Sequence, residues 1–358
     1  MKVLQVIDQL NVGGAERVLV DLSNILFEYG LHVNVMTLVR PGRLSEQLNS
    51  GISLINLNRI NKYNVFKLYQ CHQICTQYDI IHVHLRYNFR YVALSKWLFG
   101  GQYKILLHDH FGDIENDRSL PSGLRWLLKQ NYWFAGVSQP LVDWAIEHVN
   151  LKKDFVFLLP NIVLKRKYTK SDIYQSSIIR MIHVSNFREA KNHSFAVKLI
   201  SELRKHFQLQ VHFIGQVIDQ SFLNSIEQQI KDAQLGEIIL IDHNCHDIQS
   251  LLNEFDIALH TAYQESGPLV LIEYMAHKLP FLAYKTGEVA SQVDKFLPEF
   301  FIDNFVIAQW VERIKRILKS RSNFDHPMDE AFNLLFSPEA YFNKCMSIYN
   351  VMILNNRG

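Results

Sequence analysis

Tyr263-Gln264-Glu265-Ser266-Gly267-Pro268-Leu269-Val270-Leu271-Ile272-Glu273-Tyr274-Met275-Ala276 sets seven residues between two glutamates, a Gly-Pro turn followed by an apolar run. Pro268 suits a first helical position, where its missing N–H and fixed φ carry no penalty. The spacing predicts a helix from Pro268, capped by Gly267 or Ser266. The free N–H groups and dipole of such a helix start form a seat for phosphate. Glu265 precedes that seat, and Glu273 lies about 7 Å along the helix at roughly 1.5 Å per residue. A carboxylate among apolar neighbours needs a hydrogen-bonding partner there. The stretch has two readings. Either the helix start holds a diphosphate and the carboxylates hold the sugars on either side, or Glu265 is a solvated loop residue and Glu273 pairs with a lysine. The spacing alone is weak; the Ser-Gly-Pro and the helical run strengthen the first reading.

A chain of 358 residues exceeds what one core usually organises, so two domains are expected. Hydrophobic content of 48% with 20% charged residues is ordinary for a soluble globular protein. A net charge of +2 gives no nucleic-acid footprint. Cys71, Cys75, Cys245 and Cys345 show no disulfide-type spacing and suit a reducing compartment, hence a cytoplasmic protein. The first residues read as a short strand rather than a signal peptide, and no uncharged run reaches the length of a membrane span. The protein is expected to be soluble, or at most attached at a membrane surface.

Residues 3–7 form a first buried strand, feeding Asn11-Val12-Gly13-Gly14-Ala15-Glu16-Arg17 and an amphipathic segment over 18–29. That glycine turn lets backbone approach a ligand closely, although the third glycine of a dinucleotide fingerprint is absent. Strands at 32–38, 53–57, 80–84, 104–107 and 133–137 alternate with helical segments at 62–77, 87–99 and 139–148. This is the pattern of a parallel, doubly wound sheet, whose ligands lie beyond the carboxyl ends of its strands. His82 and His84 end one strand, and His108-Asp109-His110 ends the next. A His-x-His pair on a strand points both rings to one face, but no Cys/His partners at ligand spacing lie nearby, so no metal is expected. An active-site His108 is the preferred reading, with hydrogen-bonded strand-end histidines as the alternative for the rest.

Residues 165–177 are polar and basic without apolar period and read as a connector. The run is also a candidate for contact with anionic lipid head groups. The pattern then restarts with strands at 178–184, 211–214, 238–241, 257–261 and 281–284 and helices at 194–206, 220–233 and 248–253. The strand ends of this second unit carry Asn186, Arg188, Lys191, Gly215 and Glu265, which could converge on an anionic ligand. A last amphipathic helix covers 338–354. The expected domains are 1–162, a connector over 163–177, 178–336, and the final helix over 337–358.

Tandem α/β units, Gly-Gly-Ala-Glu-Arg after the first strand, and Glu-x7-Glu ahead of a later strand together resemble the retaining GT-B glycosyltransferases of family four. The resemblance spans essentially the whole chain in the right order. It implies an α/β fold of two Rossmann-like domains with parallel sheets facing across a cleft, the donor bound by the second and the acceptor mainly by the first. It implies that Glu265 contacts the donor sugar, Glu273 the ribose, and the backbone of Ser266, Gly267 and Leu269 the diphosphate. Lys191 matches the lysine that neutralises the leaving phosphates, His108 the histidine near the transferred sugar, and Gly13 and Gly14 the loop lining the cleft. Three positions depart from the family pattern. Asn186 stands where arginine is usual, with Arg188 two residues on. Lys278 replaces a glycine after the second-glutamate helix, implying a different helix exit. Pro268 removes an amide between the glutamates.

The resemblance implies transfer from a nucleoside-diphosphate sugar, UDP or GDP as the carrier, to a saccharide or lipid-linked saccharide, in bacterial surface polysaccharide or lipopolysaccharide synthesis. No cofactor, metal or nucleic acid is implied. A sugar-nucleotide epimerase of the same fold and a non-catalytic sugar-nucleotide-binding protein remain as alternatives.

Overall fold

The apolar run at 3–7 is the middle of strand β1 (Lys2–Gln9), whose Val3, Leu4, Val6 and Ile7 are fully buried. Such a run suits a central parallel strand covered on both faces. The computed structural model describes residues 1–354 except 12, 62, 113, 115–116, 121–122, 131, 167–176, 244 and 246. Around β1 stand β2 (His32–Arg40), β3 (Ser53–Asn56), β4 (Ile80–His84), β5 (Lys104–Asp109), β6 (Trp133–Gly136) and β7 (Val156–Leu158). The order is β3-β2-β1-β4-β5-β6-β7, all pairs parallel. The direction of winding reverses between β1 and β4.

A second sheet combines β8 (Ile178–Val184), β9 (Gln208–Ile214), β10 (Ile239–Asp242), β11 (Ile257–His260), β12 (Phe281–Tyr284) and β13 (Phe301–Ile302). Its order is β10-β9-β8-β11-β12-β13, again all parallel, with the reversal between β8 and β11. Leu259 stands opposite His183 there, so the ends of both strands, and the loops they launch, are neighbours. Those are the positions where an open α/β sheet binds ligands.

The chain divides into one unit of Met1–Leu164 with the stretch from Ser337 onward, and another of Lys165–Phe336. The last helix, Pro338–Leu354, packs on the first unit. Tyr349 OH lies 2.7 Å from His82 Nδ1, and Phe342 stacks on Tyr29 at 4.5 Å. Most of the connector expected over 163–177 lies outside the described residues. Its described ends are not free: Val163 is buried in the first unit, because it is apolar, and the Arg166 guanidinium stands 3.4 Å from Asp247.

The first sheet buries a row of histidines on one face. His82 and His84 alternate along β4, and His108 stands opposite His84 on β5. Burial, and then the neighbouring rings, hold His82 and His84 well below the ordinary 6.5; burial, opposed by the bond to the Leu159 carbonyl, takes His108 down to about 4. All three are neutral in the folded protein.

Two elements depart from expectation. The helix expected from Pro268 begins one residue later, at Leu269, with Pro268 as its extended cap at ψ 108. The Pro268 carbonyl takes the Leu271 N–H at 3.3 Å, so proline serves by its oxygen rather than as the first helical residue. At the other end Lys278 sits at φ +54, and Leu279 and Lys278 N–H bond back to Tyr274 and Met275 carbonyls. This is the left-handed exit a glycine would make, so the exit is of the usual kind and lysine bears its strain.

Both the helix exit and the histidine row can be tested. Lys278→Gly should be more stable than Lys278→Ala by about 1 kcal/mol in urea unfolding, since both lose the side chain and only glycine relaxes the left-handed residue. An unfolded chain takes up histidine protons near 6.5 that the folded sheet refuses, so stability is held above 6.5 and lost as pH falls towards about 4. Four of the five tryptophans lie in the first unit, and their fluorescence should report a melting temperature falling through that window. A flat profile would refute the neutral histidine row.

Candidate active site

Three strand ends of the second unit build one site. After β8 the chain turns at Ser185, whose N–H donates to the Ile214 carbonyl at 2.9 Å. Gly215 makes that turn possible, because a Cβ there would sit 1.9 Å from the Ser185 oxygen. The Asn186 side chain accepts the Gln216 N–H at 3.2 Å and so fastens the two loops together. The chain then makes a short turn over Glu189–Lys191, ending in a left-handed Asn192 at φ +54.

Thr261, just past β11, locks this turn. Its hydroxyl lies 3.1 Å from the carbonyl oxygens of Lys191 and Asn192 and 2.9 Å from His183 Nε2. The Tyr263 N–H donates to Ala190 at 3.1 Å. These bonds set the buried Lys191 ammonium directly on Glu265 Oε1. His260 Nε2 is 3.7 Å from the same oxygen. Burial pushes the Glu265 carboxyl up, but its neighbours, the Lys191 ammonium first, outweigh it and hold the group below its ordinary value. Burial keeps His260 neutral, at about 4.

The end of β12 completes the frame. Thr286 Oγ1 accepts the Glu265 N–H at 3.3 Å, and the Ser266 carbonyl accepts the Glu288 N–H at 2.8 Å. Gly287 adopts φ +80, and a Cβ on it would press to 2.9 Å from the Glu265 oxygen, so this close approach needs glycine. The helix Leu269–Ala276 opens here with no side-chain cap. Its orientation is fixed by Tyr274, whose hydroxyl oxygen accepts the Val184 N–H at 3.3 Å. An uncapped helix start beside a lysine is an anion seat. Glu273 lies half-buried in the second turn, where its charge acts on Cys245 and Tyr274.

Arg188, Lys191, Gly215, Glu265, Ser266, Gly267 and Leu269 therefore share one site, with Asn186 in its scaffold. Gly13, Gly14 and His108 belong to the first unit. Gly13 precedes the helix Gly14–Glu28, and a Cβ on it would meet Glu16 Oε2 at 2.4 Å. Glu16 thus folds back over its own helix start, where burial raises its carboxyl. His108 is fully buried, with Nε2 3.0 Å from the Leu159 carbonyl. His110, one step beyond, is half-buried, and its Nε2 lies 2.9 Å from His84 Nδ1. Ring nitrogens of His82, His84 and His108 come within 4.8 Å of one another, close enough for a metal to be considered. Both nitrogens of His84 already have partners, in His110 and Gln5. Sequence reading gives no role to His260, Thr286 or Glu16. His260 ends an apolar run just ahead of Glu265, Glu16 lies within the Gly-Gly-Ala-Glu-Arg turn, and Thr286 closes the strand Phe281–Tyr284, which are their signals.

Comparison with known proteins places the chain in a family and a fold. The profile of "Glycosyl transferases group 1" matches residues 171–332, and that of "Glycosyltransferase Family 4" matches residues 12–163. N-acetyl-alpha-D-glucosaminyl L-malate synthase of Bacillus anthracis is 26% identical over 302 residues, 78% of this chain and 77% of that protein. Anabaena HepE, solved with UDP and glucose, superposes with a TM-score of 0.81 at 16% identity, over 98% of this chain and 99% of that one. A glycosyltransferase of Rickettsia africae superposes at 0.79 and 20% identity over 99% of both chains. The chain belongs to the group 1 glycosyltransferases, and its fold is GT-B.

Removing one partner of a buried ion pair leaves a charge without compensation. Glu265→Leu alone should destabilise the second unit by about 3–5 kcal/mol, and adding Lys191→Met should restore most of the loss. Urea unfolding of the two single variants and the double variant checks this; strictly additive losses would show that the pair is not coupled.

Proposed function

We propose that the protein transfers a sugar, with retention of anomeric configuration, from a nucleoside-diphosphate donor to a hydroxyl of a saccharide or lipid-linked saccharide. The observation that carries this reading is the buried Lys191–Glu265 pair beside the uncapped start of the helix Leu269–Ala276. In the free protein Glu265 is the counter-ion of Lys191. A donor diphosphate on the helix start replaces it, and Glu265 turns to the sugar hydroxyls. Glu273 then takes the ribose. His108 orients the sugar through the strand end it supports, rather than from an exposed ring.

In the reaction the bond from the anomeric carbon to the diphosphate oxygen breaks, and a bond to the acceptor oxygen forms on the same face. The proton of the acceptor hydroxyl passes to the departing phosphate. Positive charge grows on the ring and negative charge on the diphosphate, so the work is electrostatic stabilisation. Lys191, Arg188 and the helix amides take the negative end. These fixed cations do the task a divalent ion would otherwise do, which makes transfer metal-independent in this reading.

HepE, solved with UDP, supports a uridine carrier, and the structural neighbour solved as a lipopolysaccharide outer core galactosyltransferase supports a role in bacterial glycan synthesis. A small free acceptor is the second reading, favoured by the relative named for L-malate. Four unpaired cysteines fit a cytoplasmic site of action.

A thermal-shift panel of UDP-, GDP- and ADP-sugars should give the largest rise with a UDP-sugar, and mass spectrometry with candidate acceptors should then find a glycoside and free UDP, in EDTA as well as without it. Lys191→Ala should lower turnover of the folded protein by about 100- to 1,000-fold, the scale of losing one transition-state donor. Near-normal turnover in that variant, or an isomerised sugar without acceptor, would overturn the reading.

A further inference from the structure

On the first unit the helices Val65–Cys75, Arg86–Phe99 and Leu124–Leu128 pack side by side. Their inward residues, such as Leu68, Phe89, Val92 and Leu127, enter the core. Helices covering a sheet normally turn charged and polar residues outward. These do not. Phe66 and Tyr69 on the first helix, Leu94, Trp97 and Leu98 on the second, and Trp126 on the third are exposed, Phe66 at 88%. Ring contacts join neighbouring helices: Trp97 meets Trp126 edge-on at 5.2 Å, and Tyr69 meets Phe99 at 5.2 Å. Ile60, in the segment leading into the first helix, is 96% exposed. Scattered apolar residues on a surface need no explanation, but a connected aromatic face does.

Acids are scarce in the stretch of chain that builds this face. None of the three helices carries an aspartate or glutamate. Between Glu46 and Asp109 the chain holds seven lysines and arginines and one acid, Asp79, although the whole chain is only +2. Asp79 accepts the Lys2 N–H at 2.7 Å at the start of β1. Arg90 on the second helix, and Arg125 and Lys129 in and just after the third, are exposed, with Arg125 also donating to the His148 carbonyl at 3.2 Å.

We propose that this face docks on a bilayer surface of anionic phospholipid. Tryptophan, tyrosine and phenylalanine settle at headgroup level, and the cations are drawn to a negative leaflet. Aromatic and basic residues on one face are the combination that holds a protein in the interface plane. Among the described residues no helix is long and apolar enough to cross a membrane, so the contact is peripheral. The basic run after residue 164 is the weaker candidate, since Arg166 is already engaged by Asp247. The proposal does not depend on which sugar is transferred, or on transfer itself.

Flotation of the full chain with vesicles tests it, using phosphatidylcholine alone or an equal mixture with phosphatidylglycerol. The protein should float with the mixed vesicles and not with phosphatidylcholine, and high salt should release it. Phe66→Ser combined with Trp97→Ser should reduce the bound fraction by about tenfold or more, with circular dichroism unchanged, because Phe66 is 88% and Trp97 53% exposed. A wild-type chain that stays down with anionic vesicles, or a double variant that floats as well as wild type, overturns the proposal. A dimer that the double substitution turns into monomer, without flotation, would give the face to a second copy of the chain and equally overturn it.

Discussion

A buried lysine set against a partly buried glutamate organises the site of the second unit. Taking both charges out of water is expensive, and their attraction repays the cost only in tight geometry. The surrounding chain supplies that geometry from three strand ends. Gly215 lets two loops close, Thr261 fixes the turn that carries Lys191, and Gly287 admits the backbone of Glu265. An apolar pair would stabilise the fold as well, so the charges call for another account. A ligand with its own negative charge provides one. On the proposed reading the site keeps Lys191 in place and neutralised by Glu265 until a diphosphate takes over the role of counter-ion.

Much of this is legible in the sequence, for a simple reason. Buried parallel strands read as short apolar runs, and the polar residues that close each run mark a strand end. Glu265 and Lys191 stand out by position, with no contact needed to find them. The helices Ile307–Lys319 and Asp325–Phe336 go unassigned, as does the two-residue β13, too short to show a period. The helix start is misplaced by one residue because proline's φ fits both the cap and the first helical position; only ψ separates them. At Lys278 residue type is a poor guide to conformation. Backbone demand at a helix exit is set by the hydrogen bonds that close it, and lysine meets that demand at a cost. The fold-back of Glu16 onto Gly13 is not readable from sequence, since it depends on a rotamer.

Histidines show the limit of reading side chains by position. Alternation correctly puts His82 and His84 on one face, but does not tell whether that face meets ligand or core. Here it meets core, and burial makes the rings neutral hydrogen-bonding groups: His82 to Tyr349, His84 to Gln5 and His110, His108 to a carbonyl. Two residues, and the end of the strand, decide much. His108 is enclosed, while His110 is only half-buried. A functional effect of His108 must therefore travel through the backbone and rings it supports.

The same lesson applies to charge. A net value of +2 is the difference of 37 basic and 35 acidic residues, and it rules out only a uniformly charged surface. What matters chemically is how the two signs are separated along the chain. In the second unit cations and carboxylates are interleaved and satisfy each other at short range, which suits a site that must be neutral until occupied. In the stretch between Glu46 and Asp109 the acids are almost gone and aromatic residues stand where they would have been. Selection for solubility alone would place mixed charges on such helices. Their absence over three adjacent elements, two of them separated by a buried strand, is hard to obtain from packing, because packing constrains the inward residues and leaves the outward ones free to vary.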